Sequence, residues 1–296
     1  MKGRLLALCL ICLLLAGCGS KERVGLCLAG QDTDAAWMEE ALEKAGYQVT
    51  AVHAGLDQGL QNRQAEELLE DCDLLLLEPV MAREMDALVA MAEQAGVPML
   101  FTGKEPREGT AYVGLSSAQA AGVQSQLAAS LPGVDLNGDG VICYAIIAGP
   151  EEDLDALAME ESCKEAWQET CLEVYYSDWT REGGKLGTMK ALATWGKDLE
   201  VVLCQSSDLS KGAMEAIAYG GRTVGEDIFL VSMGQGQMEK LLVKSGDLSG
   251  TVVPDEADLK QRLLDAVALL LDGKPAQTQY DGYIAITREN VENYLD

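Results

Sequence analysis

The 296-residue chain carries 48 Asp and Glu against 22 Lys and Arg, a formal net charge of −26 at pH 7, and 48% of it is hydrophobic. A chain this acidic, with no Lys/Arg cluster, excludes nucleic acid as a partner, because a phosphate backbone is held by basic groups that displace its counterions. Only 5% of the residues are aromatic, so Ala, Leu and Val must fill the core of the one large or two medium domains that this length allows.

Lys2 and Arg4 precede an apolar run from Leu5 to Leu15. That run is too short for a permanent membrane span and carries small residues where a peptidase needs them, so residues 1–17 are expected to be a secretory signal. Leu15-Ala16-Gly17-Cys18 resembles the bacterial lipobox, which implies lipidation of Cys18 and an extracytoplasmic protein tied to the cell membrane. An export signal with an incidental cysteine is the alternative. Residues 18–22 form a short tether, and loss of Lys2 and Arg4 takes the formal charge of the mature chain to −28.

From Arg23 on, short apolar runs alternate with stretches of helical period. Val24–Ala29, Gln48–His53, Asp73–Glu78 and Val97–Thr102 are expected as strands, with helices over Ala35–Ala45, Gln61–Leu69 and Arg83–Gln94. Strands as uniformly apolar as Leu74-Leu75-Leu76-Leu77 belong in a parallel sheet covered on both faces. After the short strand Tyr112–Leu115 and a helix over Ala118–Ala129 the pattern restarts. Val141–Ala148, Leu172–Tyr176, Glu200–Cys204 and Ile228–Val231 are the new strands, separated by helices near 155–168, 185–195 and 209–219. A strand over Leu248–Val253, a helix over Ala257–Leu271 and a strand over Tyr283–Ile286 close the chain. The fold class is therefore α/β, with two doubly wound parallel-sheet lobes whose strand ends present a shared crevice, the usual place for a ligand in open sheets.

Of the nine cysteines, Cys9 and Cys12 leave with the signal. Cys27, Cys143 and Cys204 lie inside expected strands and suit small buried hydrophobes, while Cys163 and Cys171 are near enough in sequence to pair. No CxxC pair offers metal-ligand spacing.

Asp135-Leu136-Asn137-Gly138-Asp139-Gly140-Val141 matches a calcium loop: side-chain oxygens at positions one, three and five, glycine at six and a backbone carbonyl at seven. The twelfth position is Ile146 rather than a glutamate, so the bidentate carboxylate would come from Glu200, at the head of a later strand. A metal-free Asp/Asn/Gly turn is the other option. This loop, the later Glu200-Val201-Val202-Leu203 run, and Val243-Lys244-Ser245-Gly246-Asp247-Leu248-Ser249-Gly250-Thr251-Val252 together resemble the periplasmic galactose/glucose-binding proteins. Lys104-Glu105-Pro106 and Ala111-Tyr112-Val113-Gly114 are similar to the same family, so the likeness spans the mature chain.

The resemblance implies a type I periplasmic-binding fold with lobes joined by a three-crossover hinge, residues 23–114 with 255–281 forming the N-terminal lobe and 115–254 with 282–296 the C-terminal one. It implies a monomer that closes on a monosaccharide and delivers it to an ABC-importer permease, in some cases also to a chemoreceptor or sensor kinase. Structural Ca2+ would be held by Asp135, Asn137, Asp139, the Val141 carbonyl and Glu200, with Cys143 standing where the family has a glutamine oxygen. Of the sugar contacts only the stacking tryptophan is matched, by Trp179. The family's asparagine after the fourth strand falls at Thr102 or Gly103, its charged group across Glu152, Asp153, Asp155 and Met159, its later asparagine at Ser206, its aspartate at Gly234 and its hinge asparagine at Pro254. Asp32, Asp34 and Trp37, on the first strand-to-helix turn, are placed to replace the family's aspartate and aromatic pair. The scaffold is kept while the site is changed, which points away from strict galactose or glucose binding and, given its acids, toward a cationic or amino-bearing ligand.

Each contact has a plainer counterpart: Trp179 as packing, the aspartates as helix caps, and His53 as a surface residue. A sensor without transport and a secreted enzyme are the rival functions. For the enzyme, Gly234-Gln235-Gly236 lacks the third glycine of a dinucleotide loop, and neither a P-loop nor a GxSxG motif occurs.

Overall fold

The computed structural model describes residues 21–30, 36–81, 85–103, 110–167, 170–234, 236–280 and 282–295. The signal, Cys18, Asp32 and Asp34 lie outside them.

In the first lobe β1 (Arg23–Leu28), β2 (Gln48–His53), β3 (Leu74–Leu77) and β4 (Met99–Phe101) form a parallel sheet in the order β2-β1-β3-β4. Period-two alternation sends its side chains to two layers. Leu26, Leu28, Leu74 and Leu76 pack under α1 (Ala36–Ala45) and a late helix, whereas Cys27, Leu75 and Leu77 pack under α2 (Gln58–Leu69) and α3 (Met85–Ala95). All four leucines of β3 are fully buried. β5 (Val113–Gly114) joins through a bridge between Phe101 and Tyr112.

The second lobe repeats the plan after α4 (Ser117–Ser130) with β6 (Cys143–Ala148), α5 (Leu154–Ala166), β7 (Thr170–Tyr176), α6 (Arg181–Trp195), β8 (Val201–Cys204), α7 (Ser207–Tyr219), β9 (Phe229–Met233), α8 (Gln237–Ser245) and β10 (Gly250–Pro254). Then come α9 (Glu256–Leu271), β11 (Gln279–Tyr280) and β12 (Tyr283–Thr287). The six-stranded order is β12-β10-β9-β8-β6-β7, with only β12 antiparallel. Tyr144, Ile146 and Leu203 face α4 and α5, while Ala145, Ile147 and Val202 face α6 and α7. α9 returns to the first lobe, where Leu263, Ala266 and Val267 cap its core.

The three passages between lobes position the site. β5 runs parallel to β4 and leads into α4, β10 runs parallel to β9 and leads into α9, and β11, parallel to β5, leads into β12. Each passage leaves a lobe at the carboxyl ends of its strands, so the two carboxyl edges face each other across the hinge. The Asp255 N–H donates to the Gly282 carbonyl at 2.9 Å, and Asp258 accepts from the Gly282 N–H at 2.9 Å and from Arg262 at 2.6 Å, lacing two of the strands together.

All six cysteines of the mature core are free thiols, Cys163 and Cys171 included, so the pairing allowed by their spacing does not form. Burial pushes the Cys27 and Cys163 thiols up to about 11, which leaves them inert fillers of the core.

Candidate functional site

In both sheets the order in which strands are added reverses, between β1 and β3 in one lobe and between β6 and β8 in the other. Ligands of open α/β sheets settle at the carboxyl ends of such switch points. There the lobes repeat one device. The residue after β3, Glu78, accepts the N–H of Ala29, the residue after β1, at 3.2 Å. The residue after β8, Gln205, accepts the N–H of Gly149, the residue after β6, at 3.0 Å, and donates to the Ala156 carbonyl at 2.9 Å. Buried Gln61 fixes the turn beyond Glu78, donating to its carbonyl at 2.7 Å and accepting from Val80 N–H at 2.9 Å.

Trp179 lies beside the second switch point. A Cβ on Gly149 would stand 2.1 Å from the indole ring, so the glycine lets the ring rest on the backbone. Trp179 takes the left-handed conformation, φ 64°, unusual for a bulky side chain. Its Nε1 donates to Asp153 Oδ2 at 3.1 Å. The other oxygen of Asp153 caps α5, accepting from the Asp155 and Ala156 N–H groups at 2.9 and 3.2 Å. Burial by itself raises the Asp153 carboxyl; the indole and the two backbone donors outweigh it and hold the group below the ordinary aspartate value. Trp179 and Asp153 are thus brought together, whereas Asp155 is exposed and Ser206 caps α7, accepting from Leu209 N–H at 3.3 Å. Trp37 packs at the α1 face of the first core, with Lys260 of α9 5.9 Å from its ring centre. That seats it in the seam between those helices. His53 is exposed, its Nδ1 3.0 Å from the Gly30 carbonyl.

Gly103 and Gly234, the two glycines expected at the site, turn out to mark side chains that the sequence did not single out. A Cβ on Gly103 would lie 2.7 Å from Glu78 Cγ, and one on Gly234 2.4 Å from Glu239 Cγ. Each glycine ends its strand bare, and a carboxylate from a neighbouring element lies over it. Glu239 is only 4% exposed and sits at the third position of α8. Tyr112, fully buried, holds the Gly103 side in place by donating to the Gly103 and Leu115 carbonyls, each at 3.2 Å.

The Asp135–Val141 loop closes on itself at the opposite edge of the second lobe. Asp135 accepts from Gly138 and Gly140 N–H at 2.8 and 2.9 Å, Asn137 from Asp139 N–H at 2.8 Å, and Asp139 from Val141 N–H at 2.8 Å and the Asn137 amide at 3.0 Å. Glu200, fully buried, accepts from Leu136 and Asn137 N–H through one oxygen at 2.7 and 3.2 Å, and from Cys143 N–H through the other at 2.9 Å. Calcium needs six or more oxygens pointed at a common centre. These oxygens are engaged with N–H donors instead, and no three acidic, histidine or cysteine side chains converge among the described residues. The strand expected from Val141 begins at Cys143 for the same reason, the loop's hydrogen bonds holding Val141, 42% exposed, out of the sheet.

A family model described as a periplasmic binding protein domain matches residues 31–275. The chain is 24% identical over 253 residues to the ribose import binding protein of Salmonella typhimurium, covering 82% of this chain and 80% of that one. Its fold is similar to a crystal structure from Mycobacterium smegmatis, with a TM-score of 0.83 at 20% identity over 93% of this chain and 94% of that one. It is also similar to an ABC transporter solute binding protein from Bacillus halodurans C-125 with bound myo-inositol, with a TM-score of 0.67 at 20% identity over 94% and 98%.

Proposed function

The chain belongs to the periplasmic binding protein domain family, and on that premise we propose that it is an extracytoplasmic receptor that closes its two lobes on a monosaccharide or sugar-like polyol for an ABC importer. It is a binding protein rather than an enzyme, as are the import and solute-binding relatives. One observation carries this function above the rest: all three interlobe passages leave from carboxyl edges, setting two switch points against each other. Rotation about three short strands brings those edges together around a guest, and the closed pair is what a membrane partner recognises.

The edges suit a polyol. Hydroxyl groups find acceptors in Glu78, Asp153 and Glu239, and the Trp179 ring offers an apolar face of the kind that packs on the C–H side of a sugar. The retained tryptophan and the absent amide and arginine contacts favour the wider monosaccharide and polyol class over galactose and glucose in particular. The relatives named for ribose import and bound to myo-inositol support that breadth. The lobes divide at 114/115, 254/255 and 281/282, Cys18 carries the lipid anchor, an importer permease is the partner, and the receptor works as a monomer.

A thermal-shift screen of aldoses, furanoses, polyols and nucleosides is expected to find at least one solute that raises the melting temperature. If none does, while a chromogenic glycoside or ester is turned over, the receptor gives way to a secreted enzyme. For the anchor, Cys18→Ser is expected to release the protein from membranes into the soluble fraction; retention on the membrane would overturn it.

A further inference from the structure

The two carboxylates that lie over bare glycines differ from Asp153 and Glu200, two acids of the second lobe whose oxygens are engaged. Asp153 has three donors, and Glu200 has three. Glu78 has one, the Ala29 N–H on Oε2. The Glu239 side chain, nine-tenths buried, forms no hydrogen bond or ion pair among the described residues. Third in its helix, it stands where a glutamate commonly turns back on the cap N–H, and that bond is not made. Instead the side chain crosses the carboxyl end of β9, over Gly234 and beside the hydroxyl of Ser207. Gln237, two residues earlier, has a buried carbonyl oxygen that also lacks a donor. The Gln237 oxygen, buried without a donor, is costly unless something supplies the missing hydrogen, while the Glu239 oxygens keep contact with solvent and are open to a ligand.

Among the described residues, basic side chains do not supply that hydrogen. Arg181, two residues beyond Trp179, is paired with Glu215, as is Lys185 at 3.1 Å, and no ion pair among the described residues includes Glu78 or Glu239. Among the described residues the edges therefore offer acceptors, two of them carboxylates, and no ion pair links either carboxylate to a cation.

We propose that the solute is a polyhydroxylated molecule bearing a protonated amino group, an amino sugar or aminopolyol, with Glu239 of the C-terminal lobe as the carboxylate that receives the ammonium and Glu78 of the N-terminal lobe meeting it on closure. This rests on the receptor function proposed above. Glu239 then acts in specificity: it selects the amine over the hydroxyl at one position of an otherwise sugar-like guest.

Isothermal titration of the purified full chain with glucosamine and galactosamine, with glucose, galactose and ribose, and with N-acetylglucosamine as an uncharged amide tests it. A protonated amino sugar is expected to bind about tenfold or more tighter than its neutral parent, and N-acetylation to remove the advantage. In Glu239→Gln the preference falls below about threefold because the amine loses more affinity than the parent sugar does, a charge-specific loss that general damage to the lobe would not produce. Glu78→Gln, which keeps its oxygen for Ala29, serves as the second variant and is expected to lower the preference as well. A neutral sugar bound as tightly as its amine, or a preference unchanged in both variants, overturns the amine while leaving the receptor intact. If none of these solutes binds, the amine falls, and the receptor function is judged separately by the wider thermal-shift screen.

Discussion

The two lobes are built on the same clasps, made with different side chains, and the differences separate structure from recognition. At the carboxyl edges Glu78 and Gln205 hold equivalent N–H groups, of Ala29 and Gly149. Gln205 uses both ends of its amide inside its own lobe, whereas Glu78 keeps one oxygen without a donor. At the amino edges the residue before β3 and the residue before β8 do matching work. Asp73 accepts the N–H of Arg23, the first residue of β1, at 2.8 Å, and Glu200 accepts the N–H of Cys143, the first residue of β6, at 2.9 Å. Asp73 is exposed beside Arg23, 3.5 Å from its guanidinium; Glu200 is buried and holds a loop besides. A clasp whose atoms are all engaged is structural, and one with an unengaged acceptor is available to a ligand.

The largest break in this comparison is expected at the amino edges. Glu200→Ala leaves three part-buried N–H groups without their acceptor and is expected to cost about 4 kcal/mol, read as a lowered denaturation midpoint. Asp73→Ala removes a solvent-screened partner and is expected to cost under about 1 kcal/mol. Equal losses would mean that the two are not one device in different settings.

At the carboxyl edges the contrast is smaller in stability and reversed in function. Gln205→Leu strands the Gly149 N–H and the Ala156 carbonyl and is expected to cost about 3 kcal/mol. Glu78→Gln preserves the Ala29 bond and is expected to stay within about 0.5 kcal/mol of the parent while changing solute affinity. Should Glu78→Gln unfold the protein, Glu78 would belong with Gln205 as scaffold.

Much of this arrangement is legible in the sequence. Leu74–Leu77 reads as a strand covered on both faces, and it stands because it depends on neighbours in sequence; Asp135–Gly140 reads as a calcium loop, of which the structure shows the turn and its own hydrogen bonds. What escaped depends on neighbours in space. The sequence pattern places α6 near 185–195, and the helix begins at Arg181, four residues earlier. A Cβ on Gly184 would lie 2.2 Å from the Leu209 carbonyl oxygen, and one on Gly212 1.9 Å from that of Arg181, so these glycines let α6 and α7 touch backbone to backbone. α8 went unnoticed because Gly236 and Gly246 bracket only nine residues, with buried Glu239 interrupting its apolar face. With the helix missed, its carboxylate over Gly234 was missed too. Glu78 was read as the end of an apolar strand, and only the bare Gly103 of the adjoining strand reveals the room its side chain occupies.

The two lobes also share an acid limb. The Arg23 N–H, followed by the guanidinium, holds the Asp73 carboxyl below its ordinary value. For Asp153, burial opposes and the donors from Trp179, Ala156 and Asp155 prevail, with the same net direction. A carboxyl depressed in the folded state contributes stability above its unfolded value and loses it as pH falls through the folded one. Trp179→Phe removes the indole donor and is expected to cost about 1 kcal/mol near neutrality. That difference from the parent should narrow on acidification below the ordinary aspartate range, as Asp153 takes up its proton in both proteins. A gap that stays constant across a denaturation series down to that range would mean that the loss comes from ring packing on Gly149 rather than from the carboxylate.

The smallest expected effect is none at all, and it decides what Glu200 is. The first lobe makes the same amino-edge clasp with Asp73 and without a calcium-like loop, which argues that the clasp itself needs no ion. An ion bound at a hundredfold excess over its dissociation constant would stabilise by about 2.7 kcal/mol, several degrees in melting temperature for a chain of this size. Melting curves in calcium and in chelator are expected to coincide, because the oxygens that would hold the ion already hold the N–H groups of Leu136, Asn137 and Cys143. A rise with calcium that Glu200→Gln abolishes would show the carboxylate releasing those groups to take the metal. The likeness between Asp73 and Glu200 would then be one of position without chemistry.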